Sequence, residues 1–114
     1  MADTIAIETL SPAEVFSRAD HAARAAVIKA ASEMNDMQGC CGFAWVTVRP
    51  ATSPFVRWCK KNGHGDKHWR SGWWFSNPGH HRGQRVDIIE AGAKAFSEEL
   101  QRLGIDASWS SRRA

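Results

Sequence analysis

An alanine-rich apolar stripe across residues 15–34 constrains the fold of this chain more than any other feature of its sequence. Its apolar positions recur at intervals of three and four residues, which is the spacing of one helical face. Ser11 can cap this helix, Pro12 suits its first position, and Glu14 can complete a capping box. The sequence therefore predicts a helix over about 12–35. Because alanine is small, its buried face can approach a neighbouring element closely.

Strand and helix patterns follow in the middle of the chain. Residues 42–49 carry β-branched and aromatic side chains in both alternating phases, so we expect a central strand covered on two sides. A Ser-Pro start at residues 53–54 and an Asn-Gly stop at residues 62–63 predict a short helix between them. The glycine-rich segment 63–72 has no periodic apolar face and is predicted to be a loop.

The last part of the chain predicts a strand, a helix and a strand. Residues 73–76 have the composition of a short strand. Asp87 and Glu90 form a capping pair for a final helix. Apolar and polar residues then alternate over 105–110 as in a half-buried strand, and the polar residues 111–114 are interpreted as a tail.

These elements predict an α+β fold in the order α-β-α-β-α-β. A three-stranded sheet would be packed by two long helices and one short helix. At 114 residues the chain has the size of one domain, so we expect a single domain over residues 1–114, less ordered at residues 1–10 and in the tail.

Charge is distributed unevenly along the chain. Residues 49–85 hold eight Lys/Arg and one acid, a net charge of +7, whereas the remainder holds seven Lys/Arg and eleven acids, a net charge of −4. Such asymmetry bears on the partners of a protein rather than on its fold.

Location can also be addressed from composition. The chain has no apolar run near the roughly 20 residues of a membrane span, and its start does not resemble a secretory signal. Its odd set of three cysteines, Cys40, Cys41 and Cys59, favours reduced thiols. We therefore expect a cytoplasmic protein without a membrane partner.

The segment 55–85 interleaves basic residues, histidines and aromatic rings. Nucleic-acid surfaces combine cations that neutralise phosphates with rings that stack on exposed bases, which favours single strands or RNA as the ligand. The candidate nucleic-acid-binding residues are Lys60, Lys61, Lys67, His68, Trp69, Arg70, Trp74, Arg82 and Arg85. The alternative interpretation is a solvated or protein-binding basic surface.

Six tryptophans complicate this interpretation, because a small domain would bury several of them in its core. We expect Trp45, Trp58 and Trp109 inside. Trp69 is the best candidate for exposure, since it lies in the glycine-rich loop.

A weak metal candidate consists of Cys59, His64 and His68 in a C-x4-H-x3-H spacing. Structural zinc requires four converging ligands, commonly from two closely spaced pairs, and no CxxC pair is present. Buried apolar thiols are the simpler interpretation. We therefore predict no metal and no cofactor.

Catalysis is a third hypothesis. Metal-dependent phosphodiester cleavage needs carboxylates, and Asp66 is the single acid of the basic segment. A small hydrolase or nuclease would instead depend on loop histidines such as His64, His68, His80 and His81 as acid and base. We assign no catalytic residue.

Residues 42–46, the basic stretch 58–69, the WWFSNP run at 73–78 and the GIDA run at 104–107 together resemble small uncharacterised proteins encoded by tailed bacteriophages. The resemblance carries no diagnostic motif and transfers no site residue. It implies a host cytoplasm as the setting, where such proteins bind nucleic acid or block a host protein.

The leading hypothesis is thus a non-enzymatic module that binds nucleic acid through residues 55–85. The alternative hypothesis is a phage-encoded protein-binding factor, either an inhibitor of a host protein or a virion component. This factor would use the same patch to bind an acidic protein surface. That patch could also join two copies of the chain in a homodimer.

Overall fold

The computed structural model describes residues 10–33, 42–67, 72–81 and 85–113. The helices are α1 (Pro12–Glu33), α2 (Pro54–Asn62) and α3 (Val86–Arg102), and the strands are β1 (Gly42–Arg49), β2 (Asp66–Lys67), β3 (Trp73–Ser76) and β4 (Asp106–Arg113). The predicted α+β class, with two long helices and one short helix, is confirmed. The predicted number of strands is wrong, because the two-residue strand β2 lies in the segment that was expected to be a loop.

The sheet has the order β2-β3-β1-β4, and all neighbouring strands are antiparallel. β1 is central, as predicted. β4 pairs with the whole of β1, from Asp106 opposite Arg49 to Arg113 opposite Gly42. Residues 111–113 therefore belong to the sheet and not to a tail, because each of them has a partner on β1.

α1 begins as the sequence predicts. The Ser11 Oγ accepts a hydrogen bond from the backbone N–H of Glu14 at 3.2 Å. The buried side chains of this helix are Val15, Ala19, Ala23, Val27 and Ala30. They follow the predicted stripe, and the small alanines let α1 pack closely against α3.

α2 also has the predicted caps. The Ser53 Oγ accepts from the Val56 N–H at 3.3 Å, and Pro54 occupies the first turn. Gly63 ends the helix at φ 77°, a left-handed conformation that favours glycine. The next residue, His64, donates its backbone N–H to the Cys59 carbonyl at 2.9 Å, which closes the last turn.

α3 begins one residue earlier than its predicted capping pair. Arg85 is the N-cap residue and makes no side-chain cap hydrogen bond. Asp87 lies inside the helix, where its carboxylate accepts from the Arg85 guanidinium at 2.8 Å. Glu90 accepts from the Ser111 hydroxyl on β4. The predicted pairing of Asp87 with Glu90 is therefore wrong, because each carboxylate has another partner.

The core lies on one side of the sheet. Directly paired residues of antiparallel strands share a face, so Val46 with Phe75 and Val48 with Trp73 mark the inner face. Their side chains form one core cluster with buried residues of all three helices. For the prediction that β1 is covered on two sides, the described residues show the inner cover alone, because every described helix packs on this face. The apolar residues in the other phase of β1 form a second surface.

Candidate functional site

The outer face of the sheet carries aromatic side chains on two strands. Phe43 and Trp45 alternate with the buried residues of β1, and Trp74 alternates with the buried residues of β3. Phe43 is 60% exposed, whereas Trp45 and Trp74 are half-buried. We call the surface formed by Phe43, Trp45 and Trp74 the aromatic face. A cluster of aromatic side chains at a surface, unlike a single exposed residue, is a candidate binding site.

Strand register brings two of these rings together. Trp74 lies opposite Thr47, two residues along β1 from Trp45. The two indoles meet edge to face, with ring centroids 5.9 Å apart and an interplanar angle of 72°. This arrangement is favourable for aromatic pairs and fixes both rings. It leaves Phe43 as the most exposed ring of the aromatic face.

Small hydroxyl side chains surround the rings. Ser76 and Ser110 lie opposite Trp45 on its two sides, and Ser108 lies opposite Thr47. Thr47 is buried and the three serines are exposed. The rings therefore have short polar side chains as neighbours on the same face, and these hydroxyls can donate and accept hydrogen bonds.

Both ends of the aromatic face carry charge. Arg112 lies opposite Phe43 at one end, and Arg49 lies opposite Asp106 at the other. Asp66 of β2 lies opposite Trp74. The face itself is therefore close to electrically balanced.

Three exposed lysines lie on α2 and the edge strand β2, and the proximity of Lys60 and Lys67 to Trp73 places them toward the helical side of the sheet. Lys67 is exposed on the edge strand β2, and the Lys60 Nζ of α2 lies 5.4 Å from the centroid of the Trp73 ring. A cation at this distance is attracted to the indole. Lys61 follows it and is exposed. We call Lys60, Lys61 and Lys67 the basic edge.

The predicted nucleic-acid-binding residues thus separate into groups. Lys60, Lys61 and Lys67 form the basic edge, and Trp74 belongs to the aromatic face. The Arg85 guanidinium is largely buried and lies 2.8 Å from the Asp87 carboxylate, whose pKa it lowers chiefly through this hydrogen bond. The remaining predicted residues, His68, Trp69, Arg70 and Arg82, lie outside the described part of the chain.

The tryptophans differ from expectation. Trp58 packs against the core as predicted and is half-buried. Trp109 is 37% exposed and Trp45 lies on the outer face, so the prediction that they lie inside is wrong. Trp73 is buried instead, and its indole N–H donates to the His64 carbonyl at 2.8 Å.

Phe43 and Trp45 are the site residues that sequence reasoning missed. They precede the basic segment, so charge did not point to them. The signal that could have found them is their phase, because both alternate with the inward residues Ala44 and Val46.

A second concavity lies on the helical side. This cavity of about 170 Å³ is lined by residues of α1, the turn after α2 and the segment after β3. The His64 ring packs against Phe16 at 4.2 Å and Trp58 at 5.3 Å. At its rim, the His80 Nε2 lies 3.7 Å from the Asp20 carboxylate, which also accepts from Arg24 at 2.8 Å.

The metal candidate is not assembled by the described residues. Cys59 belongs to the core, and its burial raises the pKa of the thiol to about 12. It is therefore protonated at neutral pH and unsuited to metal binding or nucleophilic attack. Nowhere in the described segments do three His, Cys, Asp or Glu side chains come together as metal ligands, and His68 lies outside these segments.

Comparison with known proteins adds no relative. No family model matches this chain, and neither a curated protein nor a solved structure is similar to it. Within the described residues, no helix has both the length and the apolar character needed to cross a membrane. The site must therefore be interpreted from its own geometry.

Proposed function

We propose that this chain is a non-enzymatic binding module that holds single-stranded nucleic acid against the aromatic face. The observation that carries the proposal is the position of Phe43, Trp45 and Trp74 on a sheet face that no described helix covers. Planar rings on an open antiparallel sheet are a general means of binding unpaired bases.

Stacking supplies affinity without selecting a sequence. Each base that stacks on an aromatic side chain contributes about 1–3 kcal/mol, and every base offers a π-face. Phe43 is the most exposed ring, and Trp45 is held in place by Trp74. A rigid ring loses little conformational freedom when a base stacks on it.

The shape of the face favours a single strand over a duplex. In a duplex the base faces are already stacked on one another, and protein side chains reach only the base edges through the grooves. Within the described residues, the aromatic face offers ring faces and short hydroxyls, and no helix lies on it that could enter a groove. Ser76, Ser108 and Ser110 can hydrogen-bond to bases or to a ribose 2′-OH.

Positive charge next to the face would attract the phosphates. The basic edge contributes three lysines on α2 and β2, and Arg49 adds a cation in the outward phase at the end of β1. Each phosphate neutralised on a single strand adds about −0.7 to the slope of log K against log salt, so four contacts predict a slope near −3. His68, Trp69, Arg70 and Arg82 remain predicted contributors.

Fluorescence anisotropy tests this function. Labelled single-stranded RNA, single-stranded DNA and duplex DNA are titrated with the protein at two salt concentrations. We expect single strands to bind more tightly than the duplex. Phe43→Ala should weaken single-strand binding by about 5- to 150-fold, which corresponds to one stacking contact.

Ile28→Ala provides the matched control. Ile28 is 70% exposed on α1, so this change also removes an exposed apolar side chain, but on the helical side. It should leave binding unchanged. Equal affinity of wild type and the Phe43→Ala variant for every nucleic acid, or no binding at low salt, would refute the proposed function.

A protein partner is the second candidate function, favoured by one observation. The exposed Phe43 lies opposite Arg112, and aromatic and arginine residues dominate protein-binding hot spots. A pull-down from host lysate, repeated after nuclease treatment, separates the two functions, because only a protein partner survives the nuclease. The phage-encoded inhibitor or virion component and its cytoplasmic setting remain predictions of this second candidate.

A further inference from the structure

The edge strand β4 carries the inference, because only one of its two sides is paired. Within the described residues, β1 is its single neighbour. β4 has eight residues and contains no proline or lysine, two residue types that commonly protect an exposed edge from pairing. A long edge strand without proline or lysine can pair with a strand of another molecule.

The hydrogen bonds of the neighbouring strands identify the backbone groups that point away from β1. The Ala44 carbonyl accepts from Asn77, which follows β3, so even-numbered residues of β1 bond toward β3 and odd-numbered residues bond toward β4. Odd residues of β1 lie opposite even residues of β4. The N–H and C=O groups of Ala107, Trp109 and Ser111 therefore face outward.

A contact at the end of α3 supports this assignment. The Gln101 side chain donates to the Ala107 carbonyl at 2.6 Å. This carbonyl could not readily accept from Gln101 if it were directed into the ladder with β1. One lone pair of the Ala107 oxygen remains for a strand partner.

We propose that a second copy of this chain pairs with this edge, β4 against β4 in antiparallel orientation, about a two-fold axis at Trp109. Self-pairing of one strand satisfies the requirement that a two-fold interface matches itself. The Ala107–Ser111 pair, its symmetry mate and the Trp109–Trp109 pair would then be the three hydrogen-bonded pairs.

Charge complementarity selects this register. With Trp109 opposite itself, Asp106 of each copy lies opposite Arg112 of the other. Both side chains are exposed on the outer face, and neither has an ion pair with another described residue. They would occupy a non-hydrogen-bonded position, where cross-strand side chains are closest. A shift by one residue would turn the two helical layers to opposite sides of the sheet.

Trp109 gives the interface its apolar centre. It lies opposite Val46 on the inner phase of the sheet, yet 37% of its surface is exposed because β4 is the last strand. At the two-fold axis each Trp109 would cover the other. Two aromatic residues that meet in the centre of an interface are typical hot spots.

The dimer would have one continuous eight-stranded sheet. Both aromatic faces would lie on the same side, and the two basic edges would lie at its opposite ends, because β2 and β4 are the two edge strands of the monomer. This inference goes beyond the proposed function and does not depend on the ligand.

Sedimentation equilibrium over a range of concentrations tests the dimer. We expect a species with twice the mass of the 12.7-kDa chain. Arg112→Asp should weaken dimerisation by about tenfold or more, because it places two acids opposite each other at both ends of the interface. Lys29→Asp on the exposed side of α1 is the control with the same charge change and should not alter the dimer.

A charge swap keeps the test independent of folding. Asp106→Arg alone should also weaken the dimer, although it additionally sets like charges opposite each other within one chain, since Arg49 is its partner on β1. The double variant with Asp106→Arg and Arg112→Asp retains that intrachain repulsion but restores both interchain pairs, so it should dimerise again. A monomer at every concentration, or failure of the double variant to recover, would overturn the proposal.

Discussion

Trp73 and Trp74 show how one position along a strand decides the role of a side chain. They have the same side chain, but successive residues of a strand point to opposite faces. Trp73 lies under α2 and is buried, whereas Trp74 belongs to the aromatic face. Sequence reasoning found both tryptophans but could not assign their faces, because a four-residue strand defines its phase only through its neighbours.

Cys59 predicts a dependence of stability on alkaline pH. Burial raises the pKa of its thiol to about 12, above the ordinary thiol value of 9.0. Between pH 9 and pH 12 the thiol ionises in the unfolded chain but stays protonated in the folded one. The free energy of unfolding is therefore unaffected by Cys59 below pH 9 and falls as pH rises from 9 toward 12, by at most about 1.4 kcal/mol per pH unit. Urea titrations across this range should show a steeper decline for wild type than for Cys59→Ala. Equal slopes would contradict the assignment of a buried thiol.

Gly92 predicts a local packing defect. A Cβ at this position would clash with the Pro78 carbonyl oxygen and would lie 2.8 Å from the Val27 side chain. Gly92→Ala should therefore lower the free energy of unfolding by about 1–3 kcal/mol, despite the higher helix propensity of alanine. Lys94→Ala, at an exposed position of the same helix, should change it by no more than about 0.5 kcal/mol in the same chemical denaturation experiment. A Gly92→Ala variant as stable as wild type would contradict this prediction, because it would show that α3 can move away from Pro78 and Val27 at little cost in free energy.

At the level of elements, sequence signals from neighbouring residues predicted helix caps and strand bounds, whereas the pairing of distant strands could not be predicted. The caps at Ser11 and Ser53, and the bounds of β1, follow from nearby residues and were predicted. The length of β4 was underestimated, because residues 111–113 are polar and become strand only by pairing with β1. The packing of all described helices on one face could not be predicted for a similar reason, because β1 is apolar in both phases.

The two faces of the sheet should respond differently to the same substitution. Phe75→Ala removes a buried ring from the core and should cost about 3–5 kcal/mol of stability. Phe43→Ala removes an exposed ring and should cost about 1 kcal/mol of stability or less while weakening binding. Thermal unfolding of both variants measures the difference. Similar losses of stability would mean that Phe43 is a core residue and not a binding residue.

The charge distribution of the whole molecule was predicted from the sequence, but its relation to the rings was not. The +7 segment is contiguous in sequence. In the fold, its described part contributes a basic edge on the Trp73 side of the sheet, whereas two of the three rings of the aromatic face come from β1. Only the pairing of β1 with β3 brings these features together.

The basic edge predicts the salt dependence of binding. The double variant with Lys60→Glu and Lys61→Glu should bind single strands more weakly and reduce the magnitude of the salt slope by about 1.4, the contribution of two phosphate contacts. The double variant with Lys29→Glu and Lys94→Glu makes the same charge change at exposed positions of α1 and α3 and should retain the wild-type slope. If both double variants lower the slope equally, the basic edge has no specific role.

The most direct test of the aromatic face is an NMR titration of the tryptophan indole N–H signals with a single-stranded oligonucleotide. The signals, assigned by single Trp→Phe variants, report both sides of the sheet in one sample. We predict that Trp45 and Trp74 shift on binding, whereas Trp73, bonded to the His64 carbonyl, and Trp58, packed against the core, do not. Shifts confined to Trp58 and Trp73, or no shifts at a saturating oligonucleotide concentration, would contradict the account.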